Sequence, residues 1–96
     1  PSVLAQLPAP LLEVRLLAIH PSHRNQMVLA GLLGGVLQSA RDEGYGSIII
    51  SGVTIRIAMY ERFGFRLLGP AVADGRAAFA PMALRMSEVP DRIWRE

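Results

Sequence analysis

The sequence has 96 residues, of which 51% are hydrophobic and 19% are charged. This length suffices for one small domain, and the composition excludes an intrinsically disordered chain. Cysteine is absent, so disulfide scaffolds, thiolate metal sites and cysteine nucleophiles are excluded. The net charge is only +2 and all ten cations are arginines, scattered singly along the chain. This distribution argues against a nucleic acid partner.

The longest uncharged stretch of helical character covers residues 25–40. It is too short to cross about 30 Å of hydrocarbon, and no charged segment precedes it as in a signal peptide. We therefore expect no membrane span. The absence of cysteine fits an intracellular location, and we expect a cytoplasmic protein. The chain begins with Pro1 rather than methionine, so we expect a processed product, an excised piece or a fragment.

The first twenty-odd residues predict a lead-in followed by a strand. Residues 1–10 hold three prolines and are expected to be an extended lead-in or linker. Residues 11–19 form an apolar run interrupted by Glu13 and Arg15, which share one face at the period of a strand. His20 and His23 follow in a loop without a nearby carboxylate, which makes a poor metal site. We expect no metal.

A long helix is predicted over Gln26–Glu43, where apolar residues recur at the i, i+3, i+4, i+7 spacing. Asn25 or Ser22 is the candidate N-cap, and Gly44 is placed for a left-handed stop. The Gly34–Gly35 pair costs the helix about 1 kcal/mol per glycine relative to alanine. Such a pair indicates close packing against a neighbouring element.

A second strand and a second helix follow. Residues 47–51 form a β-branched run typical of a strand buried on both faces. Thr54 is predicted to cap a shorter helix over residues 55–63, and Gly64 is predicted to end it.

The remaining residues predict two further strands and a tail. A short strand is expected at 65–68, and the Asp74-Gly75 pair marks a turn into a last strand over Ala77–Arg85. Residues 87–96 are polar and weakly patterned, so they are expected to be a tail outside the domain of residues 11–86.

This order of elements predicts an α/β fold with a mixed sheet. Residues 11–19 and 47–51 would run parallel through a right-handed crossover, and the two terminal strands would pair antiparallel. The first strand has no predicted partner on its outer edge, and an unprotected edge favours association. We therefore expect a homo-oligomer, or a further N-terminal segment or domain that covers this edge.

The junction between the first strand and the long helix is the strongest physical candidate for a binding site. A helix N-terminus presents unpaired backbone N–H groups and the positive end of a dipole, which suit a phosphate group. Arg24 adds a fixed charge there. Every strand–helix junction shares the first two properties, so the signal is not specific by itself.

A series of motifs in residues 11–86 resembles the C-terminal half of the GNAT acyltransferases. The motifs are a strand ending in Leu17-Ala18-Ile19, a His-Pro-x-x-Arg loop, a long helix, a buried strand and the run Tyr60-Glu61-Arg62-Phe63-Gly64-Phe65. The ending over residues 69–84 is also similar to N-acyl amino acid synthase-like members of that superfamily. The resemblance implies a partial GNAT-like acyl-CoA N-acyltransferase fold. It also implies transfer of an acyl group from a thioester to a small-molecule amine.

The resemblance implies roles for individual residues. The backbone of Leu17, Ala18 and Ile19 would pair with the pantetheine arm of acetyl-CoA or another acyl-CoA. The pyrophosphate would be held by Arg24, Asn25, Gln26, Met27, Val28 and Leu29. Tyr60 would protonate the departing thiolate, whose basicity is close to that of a phenolate, and Glu13 would be a general base. The structural alternatives are an aromatic packed on the sheet for Tyr60 and, for Glu13, a solvated or paired strand carboxylate that faces Arg15.

Departures from the family pattern leave more than one function open. The family carries glycine, glycine, and glycine or alanine where this chain has Asn25, Met27 and Leu29, and glycine lets phosphate oxygens approach the backbone. The family's N-terminal strands and helices, which supply much of the acceptor site, are also absent. The chain is then an acyltransferase domain or its C-terminal part, a catalytically degenerate binding or regulatory module of a larger protein, or a generic strand–helix–strand unit.

The altered loop predicts weak binding of coenzyme A. The larger side chains at Met27 and Leu29 would obstruct the approach of its phosphates. Coenzyme A brings a pyrophosphate and a 3′-phosphate, whereas the phosphopantetheine of an acyl carrier protein brings one phosphodiester. A carrier-protein thioester is therefore an alternative donor.

Overall fold

The computed structural model describes residues 3–15, 25–74 and 77–94. Within these ranges the helices are α1 (Gln26–Glu43), α2 (Ile57–Phe63) and α3 (Asp91–Trp94). The strands are β1 (Leu11–Val14), β2 (Ser47–Val53), β3 (Arg66–Leu67), β4 (Val72–Asp74) and β5 (Ala77–Arg85). Of the predicted first strand, residues 16–19 lie outside the described residues.

The strands form one mixed sheet in the order β1-β2-β5-β3, with β4 also paired to β5. β1 runs parallel to β2, with Leu12 opposite Ile48. β2 runs antiparallel to β5, and the other edge of β5 carries both β3 and β4. The predicted mixed sheet and the parallel first pair are thereby confirmed, while the short strand β4 is an addition to the predicted order.

The helix α1 covers one face of this sheet, and its predicted bounds are confirmed. Its residues Leu29, Leu33, Leu37 and Ala40 are buried. They form the core with side chains from the covered face of the sheet and from α2, including Ile48, Ile50, Tyr60, Met82 and Leu84. The core therefore lies between α1 and the central strands.

Both ends of α1 follow the predicted local chemistry. The Asn25 side chain accepts a hydrogen bond from the Val28 N–H at 2.9 Å, so Asn25 is the N-cap. Gly44 adopts φ 82°, a left-handed conformation that glycine adopts without a Cβ penalty. Gly64 ends α2 in the same way with φ 112°.

The expectation that Gly34 and Gly35 pack closely against a neighbour is wrong. Among the described residues, a Cβ built at either glycine would meet no atom within 4 Å. The pair lies on an open part of the helix surface, so its cost in helix propensity is not offset by contacts there.

Gly46 is the glycine that the packing at the start of β2 requires. A Cβ at this position would lie 2.6 Å from the carbonyl oxygens of both Pro8 and Ala9. The Gly46 N–H donates to the Pro10 carbonyl at 2.9 Å, and the Met86 N–H donates to the Gly46 carbonyl at 2.9 Å. Gly46 thus links the lead-in to the sheet through backbone hydrogen bonds. A side chain at this position would have to displace the backbone carbonyls of Pro8 and Ala9.

Replacing Gly46 with alanine is expected to lower the free energy of unfolding by about 1–3 kcal/mol, because the added methyl group overlaps two backbone carbonyls. Gly34→Ala is the matched control. Its methyl group enters open space, so it should raise the free energy of unfolding by about 0.5–1 kcal/mol through helix propensity. Urea unfolding of both variants measures the contrast, and equal effects would contradict it.

The predicted cap of the second helix by Thr54 is wrong. β2 continues to Val53, because Gly52 and Val53 still pair with Ala80 and Phe79 of β5. The chain then turns through a 3-10 segment, Thr54–Arg56, and α2 begins only at Ile57. No side-chain hydrogen bond caps either start.

Both ends of the chain hold more structure than the sequence pattern predicts. The lead-in contains a 3-10 helix over Val3–Gln6, and residues 91–94 form α3 rather than an unpatterned tail. Val89 is buried, and Ile93 and Trp94 pack against the core. The Arg41 guanidinium lies 4.7 Å from the centre of the Trp94 ring, a cation–π contact that joins α3 to α1.

No helix within the described ranges is long and apolar enough to cross a membrane.

Candidate functional site

The predicted site residues fall into two groups. Leu17, Ala18, Ile19 and Arg24 lie outside the described residues, as do His20 and His23. The residues from Asn25 to Leu29, together with Glu13 and Tyr60, are described. The geometry of the site is therefore built from the start of α1 and from the strands β1 and β2 with α2.

Tyr60 holds its hydroxyl at the C-terminal end of β2. The residue is fully buried on α2, and its ring meets the Phe65 ring edge-on, with centroids 6.4 Å apart and planes at 73°. The Val53 N–H donates to the Tyr60 hydroxyl oxygen at 3.1 Å. The ring packs as the structural alternative predicts, and the Val53 N–H holds the hydroxyl group at a defined point beyond the described end of the β1–β2 pairing.

Gly52 makes room for the Tyr60 ring, a role that sequence reasoning missed. A Cβ on Gly52 would lie 2.7 Å from Cε2 of Tyr60 and 3.1 Å from Sδ of Met82. Any side chain at Gly52 would therefore displace the ring and its hydroxyl. A glycine inside a strand often marks such a close approach, but the predicted strand ended one residue before it.

Glu13 lies on the other face of the sheet. Its neighbours Leu12 and Val14 pack against the core, whereas Glu13 is exposed and pairs with Arg15 at 3.5 Å. Glu13 thus matches its structural alternative, a solvated carboxylate that faces and pairs with Arg15.

The sheet register separates Glu13 from Tyr60. Glu13 stands opposite Ile49, and Ile49 precedes Val53 by about 13 Å along β2 at the rise of a strand. The structure does not bring Glu13 and Tyr60 together.

The start of α1 leaves fewer backbone N–H groups for a ligand than the expected phosphate loop would. The Val28 N–H is taken by the Asn25 side chain, and the Leu29 N–H donates to the Asn25 carbonyl at 3.0 Å. Leu29 is fully buried in the core, while Met27 is 86% exposed. The expected obstruction by the Leu29 side chain is therefore wrong, because that side chain points away from the loop.

A cavity of about 210 Å³ opens beside this first turn of α1. It is lined by Gln26, Ala30, Met59, Arg62, Phe63, Arg92 and Ile93. The Arg92 guanidinium donates from Nη2 to the Arg62 carbonyl at 2.6 Å, which holds it in place. Two arginines therefore line a cavity near the positive end of the α1 dipole, and this setting favours an anion. Sequence reasoning missed Arg92, because it lies in the segment taken for a tail.

Within the described residues, no group of three or more His, Cys, Asp or Glu side chains could hold a metal ion.

The chain is similar to known proteins both in sequence and in structure. The chain is 38% identical to human N-acetyltransferase 8 over 56 residues, which are 55% of this chain and 25% of that protein. Its structure matches a CoA-dependent acyl-homoserine lactone synthase, MesI, with a TM-score of 0.55 and 22% identity. The match covers 79% of this chain and 40% of MesI. No protein-family profile matches the chain.

The chain thus spans about a quarter of the curated relative that it matches. The expected mixed α/β fold of GNAT-like type is confirmed over the part that overlaps the solved structure.

Proposed function

From the relationship of this chain to the C-terminal part of the GNAT acyltransferases, we propose that it takes part in transfer of an acyl group from a thioester to an amine. The observation that carries the proposal is the placement of the Tyr60 hydroxyl. The hydroxyl lies at the C-terminal end of β2, where its oxygen accepts a hydrogen bond from the Val53 N–H at 3.1 Å. In this proposal the donor thioester reaches the C-terminal end of β2, and Tyr60 supplies the proton that the leaving thiolate needs.

The proposed step is an acyl transfer in which Tyr60 is the general acid. The amine nitrogen bonds to the carbonyl carbon, the bond from that carbon to sulfur breaks, and the sulfur takes the Tyr60 proton. The amine proton passes to solvent. The Val53 N–H, which donates to the phenol oxygen, stabilises the phenolate that remains until Tyr60 is reprotonated. A base role for Glu13 stays a prediction, and its distance from Val53 favours water as the carrier of the amine proton.

The phosphates of the donor are proposed to lie at the start of α1. Arg62 and Arg92 line the cavity beside Gln26, and both can pair with phosphate oxygens. The N–H group of Val28, which would otherwise be unpaired at the helix start, already has the Asn25 side chain as its partner. This arrangement supports weak binding of coenzyme A, and it supports a carrier-protein thioester, with its single phosphodiester, as the second candidate donor.

Titration calorimetry with coenzyme A, followed by thiol release from acetyl-CoA in the presence of an amine, tests the proposal. We expect measurable binding, about ten-fold weaker in Arg62→Ala because one charged phosphate contact is lost. Binding of neither coenzyme A nor a phosphopantetheine-loaded carrier protein would contradict a thioester site. Binding without turnover would support the regulatory or binding module instead.

Replacing Asn25 with glycine is expected to tighten coenzyme A about ten-fold, because the Val28 N–H becomes available for a phosphate oxygen. Replacing the asparagine cap with glycine lowers the free energy of unfolding by only about a few tenths of a kcal/mol, so the fold should remain intact. Asn25→Ser is the matched control, since serine also caps helices and keeps that N–H occupied. Calorimetry should show tighter coenzyme A binding for the glycine variant alone. Equal affinities for both variants would contradict the idea that the Asn25 side chain and a phosphate compete for the Val28 N–H.

A further inference from the structure

The short helix α2 carries Tyr60 and has few means of its own to hold its position. It has seven residues, and no side-chain hydrogen bond caps its start. Helices shorter than about 12 residues are marginal by themselves, so contacts with other parts of the chain must stabilise them. The placement of the Tyr60 hydroxyl therefore depends on how the rest of the chain holds α2.

The C-terminal end of α2 is closed by a side chain from a distant segment. The Arg62 carbonyl accepts a hydrogen bond from Nη2 of Arg92 at 2.6 Å. The two carbonyls before it already accept from the backbone N–H groups of Gly64 and Phe65. A cation at this end of a helix also interacts favourably with the helix dipole. Arg92 thus completes the last turn of the helix that carries Tyr60.

The segment that bears Arg92 is anchored independently of this hydrogen bond. Ile93 and Trp94 pack against the core, and the Ile93 N–H donates to the Pro90 carbonyl at 3.0 Å. The Arg41 guanidinium lies 4.7 Å from the centre of the Trp94 ring. None of these contacts uses the Arg92 side chain. We therefore expect α3 to stay in place when that side chain is shortened.

We propose that Arg92 is a positioning residue for acyl transfer, which holds α2 and thereby keeps the Tyr60 hydroxyl against Val53. The inference rests on the proposed role of Tyr60 as the general acid. The carbonyl that Arg92 caps lies two residues after Tyr60, about 3 Å along the helix axis. Loosening of the last turn therefore reaches Tyr60 directly. Arg92 has this task in addition to its place in the cavity beside the start of α1.

Hydrogen exchange of the Val53 amide, followed by NMR on the full chain, reports the position of the hydroxyl without any substrate. The Val53 N–H donates to the Tyr60 hydroxyl oxygen, so it should exchange faster when that oxygen moves away. We expect Arg92→Ala to speed this exchange at least about ten-fold. Arg92→Lys should restore most of the protection, because lysine can also donate to a carbonyl at a helix end.

Two controls show whether the effect is local and specific. Arg62→Ala removes the other guanidinium of the cavity but keeps the backbone carbonyl that Arg92 caps. Its Val53 amide should therefore exchange as in the parent chain. The amide of Leu37, which is buried in α1, should keep its exchange rate in Arg92→Ala. Equal acceleration at Leu37 and Val53 would indicate a general loss of stability and would overturn the proposal.

A double-mutant cycle with Tyr60→Phe tests the kinetic consequence. The assay is thiol release from acetyl-CoA with n-butylamine as the acceptor. Arg92→Ala should lower kcat about 10–100-fold through misplacement of the acid, and the lost phosphate contact should raise KM. In the Tyr60→Phe background, Arg92→Ala should still raise KM but should lower kcat no further, because the group that it positions is gone.

Two results would contradict a positioning role. One is a Val53 amide that exchanges at the parent rate in Arg92→Ala, and the other is an equal loss of kcat with and without the Tyr60 hydroxyl. A parent chain that transfers no acyl group would contradict the proposed function alone. Faster exchange at Val53 in Arg92→Ala would still show that Arg92 positions the hydroxyl.

Discussion

Replacing Tyr60 with phenylalanine is expected to lower the rate of acyl transfer by about 10²–10⁴-fold, the usual contribution of a positioned general acid. The change keeps the ring, which fills the space beside Gly52 and Phe65, and removes only the O–H group. The leaving thiolate then has to take its proton from water. Thiol release from an acyl thioester, at saturating donor and acceptor, measures the rate.

The same substitution also has a structural cost, which a matched control separates from the chemistry. The buried Val53 N–H loses its acceptor, so the free energy of unfolding should fall by about 1–3 kcal/mol. Tyr45→Phe makes the same chemical change at the opposite end of β2 and should leave the rate unchanged. Glu13→Gln should change the rate less than about ten-fold, since a proton carried by water needs no residue at that distance. An unchanged rate in Tyr60→Phe would show that Tyr60 only packs.

Replacing Leu29 with alanine is expected to lower the free energy of unfolding by about 2–5 kcal/mol, because the fully buried side chain leaves a cavity in the core. A small domain whose total stability is about 5–15 kcal/mol would lose much of its margin. Urea unfolding followed by circular dichroism measures the loss.

Met27→Ala is the control for Leu29, since both residues belong to the same predicted phosphate loop. Met27 is 86% exposed, so its truncation should change stability by no more than about 0.5 kcal/mol. A similar loss in the two variants would contradict the assignment of Leu29 to the core. Any variant that brings this loop closer to the family's glycine pattern must therefore keep Leu29, because its side chain belongs to the core.

The helix α1 was predictable from the sequence because its signals are local. Asn25 caps the helix through a hydrogen bond to Val28, and Gly44 stops it with a left-handed residue. The spacing of apolar residues between them requires no knowledge of distant parts of the chain. The same holds for the stop at Gly64.

The end of β2 was not predictable in the same way. Gly52 is a poor strand residue by itself, and it belongs to β2 because Ala80 of β5 pairs with it. That partner lies far away in sequence, so no local pattern reports the pairing. The false cap at Thr54 follows from the same cause, since a strand that continues to Val53 moves the helix start to Ile57.

The candidate site was predictable only where a motif marks it. Tyr60 lies in a run of residues that resembles a motif of a known family. The hydrogen bond that its hydroxyl accepts from Val53 depends on the three-dimensional packing of α2. Arg92 has no local signal at all. It reaches the start of α1 because Val89, Ile93 and Trp94 anchor the C-terminal segment on the core.

The central position of β5 determines when during synthesis the candidate acid can take its place. β1, α1 and β2 leave the ribosome before β5, and one edge of β2 stays open until residues 77–85 have emerged. Val53 pairs with Phe79 of β5, so the end of β2 that meets the Tyr60 hydroxyl is held only after β5 docks. Pairings this distant in sequence slow folding. The Tyr60 hydroxyl is therefore positioned in a late step of folding, and a nascent chain cut before β5 should have the helix α1 but no ordered Tyr60.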